Sequence, residues 1–341
     1  MNKILVFGGT GSLGKALIRR LIDNNKIVAA SRDEAKHWTI KNEYASHTFA
    51  NHLDFKVCDI RDKQRVKEVI LQTRPDKIII AAALKQVDTC ELSPRESILT
   101  NLEGTQNVID SVVEIDKMGA KAPTTVLFVS TDKACSPVNV YGMCKAISER
   151  YVTSQSADSS LTPRFLAVRY GNVLESRGSI IPLFKYQAEH ADAFTVTHPD
   201  MTRFLMTLDD SVNLINAAIT RGQSGTIWIP RLKSMRVNDL AEIFSEIYEK
   251  PIKYIGLRPG EKMDEALLNE SESVRTYEKE QFYVIDPAYV SVLNPRKMFE
   301  YTSADDVMSK QELYEYLKQL GILDKTLEQF EGKSIEEIRT T

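Results

Sequence analysis

Short apolar runs alternate with amphipathic stretches along the first half of the chain. "KILVFGG" reads as a buried strand and "GKALIRRLIDNN", apolar on one helical face, as a helix. "KIVAASR" and "FKVCDIRD" are further strands, followed by the helix "KQRVKEVILQT", the strand "DKIIIAAA" and the helix "NLEGTQNVIDSVVEI". "TTVLFVSTD" is again a strand, "VYGMCKAISERYVTSQ" a helix and "TPRFLAVRYGNV" a strand. Strands that are apolar at nearly every position are covered on both faces, and strand–helix alternation joins them in parallel. The pattern predicts an α/β fold built on a doubly wound parallel sheet.

Past Asn172 the pattern becomes irregular and richer in Pro and Arg, as in "SRGSIIPLFKY", "THPDMTRF" and "GLRPGEKMDEALL". This reads as a smaller mixed α/β substrate-binding region. The helical "LDDSVNLINAAITRG" and the strand "GTIWIP" return to the main sheet, so the division is discontinuous. Residues 1–171 and about 205–230 form the nucleotide-binding part; about 172–204 and 231–341 form the substrate-binding region. "MSKQELYEYLKQLG" is a packing helix with Ser309 as N-cap and Gly321 as stop.

Composition narrows the class. With 43% hydrophobic and 27% charged residues and a net charge of −3, the chain has no nucleic-acid footprint and no basic membrane-surface patch. The N-terminus shows no signal peptide, and no apolar run is long enough for a membrane span. Cys58, Cys90, Cys135 and Cys144 show no CxxC pairing and are expected as free thiols in a reducing cytosol; a cytoplasmic protein is the expectation. The histidines do not cluster, so no metal is expected.

"GGTGSLG" sets Gly8, Gly11 and Gly14, with Thr10, Ser12 and Leu13 between them, at the junction of the first strand and first helix. Glycines there permit a tight turn and close approach of backbone to a pyrophosphate, and the helix N-terminus offers N–H donors. The sheet is therefore expected to be of Rossmann type, holding a dinucleotide. At the end of the second strand stand Ser31 and Arg32, a hydroxyl and a guanidinium suited to a ribose 2′-phosphate, which points to NADP. Asp33 or Glu34 offers the alternative, a ribose contact. Asp59 and Ile60 follow the third strand, where an adenine would lie. Ala81, Ala82 and Ala83 end the fourth, small enough for the cofactor ribose to rest on the backbone.

"STDKACSPVNVYGMCK" packs Thr131, Asp132, Lys133, Tyr141 and Lys145 just after a buried strand. Tyr141 and Lys145 are one helical turn apart on one face, and a nearby ammonium would lower the phenol pKa so that Tyr141 serves as a base. Together with "GGTGSLG", these motifs resemble the extended short-chain dehydrogenases/reductases that modify nucleotide sugars. "SRDE", "AAALKQV", "RYGNVLESRGSIIP", "MTRFLMTLDD", "RPGEKMDEAL" and "YTSADDVMSKQELYEYL" are similar to successive motifs of the inverting, 5-epimerising UDP-N-acetylglucosamine 4,6-dehydratases. The resemblance runs to about residue 320. Membrane-anchored, C5-retaining relatives commonly have Met where Tyr141 stands, and dTDP-glucose dehydratases carry Thr-Asp-Glu where this chain has Thr-Asp-Lys. Departures are the missing histidines around "AAALKQV" and Asp264 where the family often has His.

The resemblance implies the following chemistry. Tyr141, helped by Thr131, takes the C4 hydroxyl proton as NADP⁺ oxidises C4. Lys133, neutral, removes the C5 proton and Asp132, protonated, donates to the leaving C6 hydroxyl. The hydride returns to C6 and C5 is reprotonated, giving UDP-2-acetamido-2,6-dideoxy-β-L-arabino-hex-4-ulose. Lys145 holds the nicotinamide ribose, and Lys85 and Asn101 add cofactor contacts. Lys85, Asn172, Arg177, Arg258 and Glu261 bind the UDP-sugar, with Arg203 less clearly placed. A homo-oligomer, dimer or hexamer, is implied as well. The alternatives are a retaining 4,6-dehydratase or a 4-epimerase of another nucleotide sugar and, in a different class, a non-catalytic NADP-binding scaffold or sensor.

Overall fold

The computed structural model describes residues 1–176, 179–290 and 298–326. In chain order its strands are β1 (Asn2–Phe7), β2 (Asn25–Ser31), β3 (Leu53–Val57), β4 (Lys77–Ile80), β5 (Thr125–Val129), β6 (Arg164–Val168), β7 (Phe194–Val196) and β8 (Thr202–Phe204). There follow β9 (Ile227–Pro230), β10 (Ser234–Arg236), β11 (Ile252–Tyr254), β12 (Ala266–Leu268), β13 (Thr276–Lys279), β14 (Phe282–Ile285) and β15 (Tyr301–Thr302).

A nine-stranded sheet in the order β13-β14-β9-β6-β5-β4-β1-β2-β3 forms the frame. From β9 to β3 every pair is parallel. The strand order reverses at β1, which lies between β2 and β4, and such a switch point opens a crevice at the carboxyl ends of the strands. Side chains of alternating strand positions feed two apolar layers. One holds Phe7, Val108, Val112 and Phe128; the other holds Leu17, Ile79, Leu166 and Ile215. The all-apolar strands are thus buried on both faces, as the pattern requires.

Two differences from the sequence expectation concern the sheet. It is not wholly parallel: β14 pairs antiparallel with β9, and β13 antiparallel with β14. That hairpin comes from the segment assigned to the substrate-binding region, so 231–341 is not confined to it. Its Phe282 and Val284 join one apolar layer and Ile285 the other, so β14 is covered on both faces. The fourth strand also ends sooner than "DKIIIAAA" suggests. Ala81 still donates to the Phe7 carbonyl at 2.9 Å, but Ala82 and Ala83 leave the ladder because Asn101 clamps the backbone beyond them: its Oδ1 accepts from the Leu84 N–H at 2.8 Å and its Nδ2 donates to the Leu84 carbonyl at 2.9 Å. Asn101 sits in a π-helical turn, Ile98–Glu103, that precedes the helix Gly104–Lys117.

A third apolar cluster, with Ile181, Phe184, Phe194, Met235, Phe244, Leu313 and Leu317, gives the substrate-binding region its own core. The helix Lys310–Gln319 that packs on it starts in a capping box at Ser309 and is followed by Gly321 at φ +65°. Among the described residues no helix is long and apolar enough to cross a membrane.

Candidate active site

Between the sheet's carboxyl edge and the smaller region lies a cleft of about 770 Å³. Its floor begins with the turn after β1. Gly8 has φ +86°, and a Cβ there would come within 2.6 Å of the Ala82 nitrogen, so only glycine lets the turn cross the end of β4. Gly11 is the N-cap of the helix Ser12–Leu21 and supplies no side-chain cap, which leaves the first-turn N–H groups facing the cleft. Gly8, Gly11, Ser12, Leu13, Gly14, Ala81, Ala83 and Lys85 line this end. An uncapped helix N-terminus beside a side-chain-free turn fits a pyrophosphate, so the residues present fit a nicotinamide dinucleotide.

Other expected cofactor residues lie differently. Thr10 and Ala82 pack behind the lining. Asn101 is spent on Leu84 and on the Ser97 hydroxyl, so it shapes the Ala81–Lys85 loop from behind. Ser31 Oγ is bonded to His37 Nε2 at 2.8 Å, whereas Arg32 is exposed. The Asp33 carboxylate accepts from the Lys36 N–H at 3.1 Å and pairs with Lys36 Nζ at 3.2 Å, which takes it away from a ribose. Asp59 is held by Arg61 at 2.7 Å, and Ile60 is buried against Gly104.

Thr131, Asp132, Lys133, Tyr141 and Lys145 converge in the middle of the cleft. After β5 the chain makes one 3₁₀ turn, Asp132–Ala134, capped by Thr131. The helix Val140–Ser154 then starts at Asn139, whose Oδ1 accepts from the Gly142 N–H at 2.8 Å. Gly142 lets this helix touch the turn: a Cβ would lie 2.2 Å from the Lys133 carbonyl oxygen. Thr131 Oγ1 donates to Asp132 Oδ1 at 2.8 Å, and Thr131 lies close enough to the Tyr141 phenol to favour its ionised form. Lys133 Nζ lies 3.2 Å from Asp132 Oδ1 and 3.0 Å from Oε1 of Glu265, which sequence reasoning missed. Asp132 is 1% exposed and Glu265 2%.

The electrostatics reverse two expectations. Burial pushes the Tyr141 phenol up to about 12, and the cation that opposes this is Lys133. Lys145 is itself driven down to about 7 by burial, against the pull of Glu149; its Nζ donates to the Val129 carbonyl at 2.6 Å. Nor is Lys133 a neutral amine here. Burial favours the amine, but the Asp132 and Glu265 carboxylates outweigh it and hold the ammonium. Burial raises Asp132, while Glu265, whose burial acts the same way, is brought below the usual range by Lys133 and Arg203. The two carboxyls therefore differ: Asp132 is the more readily protonated of the pair.

On the substrate side, Asn172, Arg258, Glu261 and Arg203 line the cleft. Arg258 spans Asp88 at 3.4 Å and Glu261 at 3.5 Å, and Arg203 meets Glu261 at 3.6 Å. Lys85 Nζ donates to Ser176 Oγ at 3.4 Å. Arg177 lies outside the described residues. The loop that carries Arg258 and Glu261 is latched to the catalytic turn, since Asn139 Nδ2 donates to the Gly260 carbonyl at 2.9 Å and Lys262 Nζ to that of Cys135 at 2.8 Å. Buried polar atoms ordinarily have partners. Ser130 Oγ, Asp132 Oδ2, Asn172 Oδ1 and Glu265 Oε2 have none among the described residues, and all four residues line the cleft. The site is built for a polar ligand.

Comparison with known proteins agrees. Residues 4–287 match the polysaccharide biosynthesis protein family. A protein of Campylobacter jejuni named UDP-N-acetylglucosamine 4,6-dehydratase (inverting) is 39% identical over 84% of this chain and 83% of its own. One of Rickettsia canadensis named UDP-glucose 4-epimerase is 36% identical over 83% of this chain and 82% of its own. The crystal structure of Pen from Bacillus thuringiensis superposes with a TM-score of 0.85 at 32% identity, covering 94% of this chain and 98% of that one. The chain belongs to the polysaccharide biosynthesis protein family, on the extended short-chain dehydrogenase/reductase fold, with inverting UDP-N-acetylglucosamine 4,6-dehydratases among its relatives.

Proposed function

We propose that the protein is a cytoplasmic UDP-N-acetylglucosamine 4,6-dehydratase that works with NADP and inverts C5. The observation that carries this reading is the Asp132–Lys133–Glu265 cluster beside Tyr141, with both carboxyls buried. A 4-epimerase has protons to move only at the C4 oxygen. An amine and carboxyls held in addition to the tyrosine are what removal of a C5 proton and departure of a C6 hydroxyl require.

The bound dinucleotide supplies the two-electron chemistry, oxidation at C4 and reduction at C6. Everything else falls to side chains of this chain. Tyr141 accepts the C4 hydroxyl proton as it releases its own to the neighbouring Thr131, whose hydroxyl passes a proton to Asp132 Oδ1 across their 2.8 Å hydrogen bond. This relay answers how a phenol pushed up to about 12 can act as a base at neutral pH: its proton goes to a carboxyl that burial has already raised. Asp132 then gives that proton to the departing C6 hydroxyl, which leaves as water. Lys133 removes the C5 proton, and C5 is reprotonated from the opposite side. The arginines and Glu261 bind the diphosphate and ribose of UDP.

The preference for NADP rests on Arg32, exposed at the end of β2, and on the engagement of Asp33 by Lys36. A guanidinium–phosphate contact is worth about 1.5–3 kcal/mol. Arg32→Ala is therefore expected to weaken NADP binding roughly ten- to hundredfold and to spare NAD; equal NADP and NAD affinities in the unmutated protein would refute the preference.

Incubation with UDP-N-acetylglucosamine in D₂O, followed by NMR of the sugar, tests the function. The expected product is the 4-keto-6-deoxy sugar of L-arabino configuration with deuterium at C5. A D-xylo product would remove the inversion, and a C4 epimer that keeps its C6 hydroxyl would favour the epimerase reading that the Rickettsia relative's name suggests.

A further inference from the structure

Lys133 can take a proton from C5 only as an amine, yet the site holds it as an ammonium between two carboxylates. One of these, Glu265, lies on the strand side of the loop that carries Arg258 and Glu261. Its backbone is fixed at both ends by Ser303: the Glu265 N–H donates to Ser303 Oγ at 2.9 Å, and the Ser303 N–H donates to the Glu265 carbonyl at 2.8 Å. Its Oε1 meets Lys133 Nζ at 3.0 Å, and its Oε2 is buried with no hydrogen-bond partner. Lys133 is faced by Asp132, Glu265, Arg203 and Tyr141, and Glu265 by Lys133, Arg203, Lys262 and Asp132.

The geometry points to Glu265 as the proton acceptor that converts Lys133 from ammonium to the C5 base. The inference rests on the dehydratase function proposed above. Once C4 is oxidised, Asp132 carries the proton received through Thr131 and needed at the C6 hydroxyl, so it cannot also take the one on Lys133. Glu265 can. An Nζ–H bond breaks and an Oε1–H bond forms across the 3.0 Å contact, turning an ion pair into two neutral groups. A sugar filling the cleft excludes water and removes the solvation that favours the ionic form. The neutral amine then takes the C5 proton. When Asp132 has protonated the leaving hydroxyl, Glu265 still holds one proton, which it returns to solvent to balance the one that C5 regains on the opposite face. Protons balance, and no further reductant or oxidant is needed. Glu265 acts through Lys133 and is thus a positioning residue for that proton.

The test is Glu265→Gln with Glu265→Asp beside it, both loaded with cofactor and UDP-N-acetylglucosamine. Glu265→Gln should still oxidise C4, seen as absorbance of the reduced nicotinamide. At neutral pH it should release the dehydrated sugar and exchange deuterium into C5 about 10²-fold more slowly. Its turnover should climb with pH as bulk hydroxide strips the ammonium, where the wild type is level. Glu265→Asp, which keeps a carboxylate, should retain the level profile. Full dehydration by Glu265→Gln with an unchanged pH profile overturns the role, because Asp132 then takes the proton. A profile in Glu265→Asp as steep as in Glu265→Gln also overturns it, by showing that size rather than charge matters. A wild-type protein that converts the sugar while the variants fail in these ways refutes Glu265 alone; a wild type inert toward the sugar refutes the dehydratase function as well.

Discussion

At the scale of single residues, the site is governed by burial. Tyr141 lies deep enough to raise its phenol, and in the proposed reaction a hydroxyl and a carboxyl continue the proton's path. Tyr141→Phe keeps the ring and breaks that path at its first atom. Turnover should fall by about 10²-fold or more, while equilibrium binding of the UDP-sugar changes little; near-normal turnover would show that another group takes the C4 proton. Lys145 offers a test independent of activity. Its ordinary value of 10.5 drops to about 7, so between these limits the unfolded chain binds the extra proton and the folded one does not. The burial penalty is full below about pH 7 and gone by about 10.5. Lys145→Met should thus stabilise the cofactor-free protein at neutral pH, less the ~1 kcal/mol of the hydrogen bond lost at Val129. The gain should fade as pH rises, which thermal melts at several pH values would show. The residue types were legible in the sequence because they follow a buried strand in a fixed order. Their charge states were not, since these depend on Glu265, more than a hundred residues away and in no recognisable relation to Lys133 along the chain. Gly142 was passed over for the same reason: its need for a bare Cα arises only where helix and turn meet.

Elements are positioned by a buried ionic network behind the site. Arg169, just past β6, bonds Glu149 on the helix of Tyr141 and Lys145, and pairs with Glu272 in the short helix Glu270–Ser273 at 2.8 Å. It also donates to the Leu267 carbonyl at 2.9 Å. All three charged residues are buried, so the network ties sheet, catalytic helix and the strand beyond Glu265 into one unit. Removing one partner of such a pair leaves charge buried and unpaired, at a cost of about 3–5 kcal/mol. Arg169→Met should lower stability by that order in urea denaturation, while a surface arginine such as Arg231, replaced in parallel, should cost little. The helices and strands themselves were legible because their apolar periods match their geometry: "KQRVKEVILQT" is a helix at Lys63–Thr73, with Asp62 as cap. Where the expectation slipped, at Ala81–Ala83 and at the antiparallel hairpin, the deciding contact is distant. Asn101 pulls Leu84 out of the ladder, and the hairpin adds to the sheet at β9.

At the scale of the whole molecule, the catalytic helix has two faces. Tyr141 and Lys145 look into the cleft, while Met143 and Ile147 are exposed, as are Leu92 and Ile98 on neighbouring segments. The family resemblance implies a homo-oligomer, and we propose that a second copy of the chain covers this face. Met143→Lys together with Ile147→Lys should reduce the assembly to monomers in analytical ultracentrifugation; an unchanged sedimentation profile would place the interface elsewhere. The order of the strands in the sheet has one more consequence, which concerns synthesis. The segment with β1 to β5 emerges from the ribosome first and brings the dinucleotide turn and the Thr131–Lys133 loop with it. Glu265 and Glu272, which neutralise Lys133 and Arg169, and the hairpin that closes the edge beside β9 come much later. An unfinished chain therefore holds Lys133 with Asp132 and Arg169 with Glu149, each cation short of its second counter-charge. It has the means to bind a nucleotide before it has a dehydratase site, and it acquires that site only when the last large piece of the frame is in place.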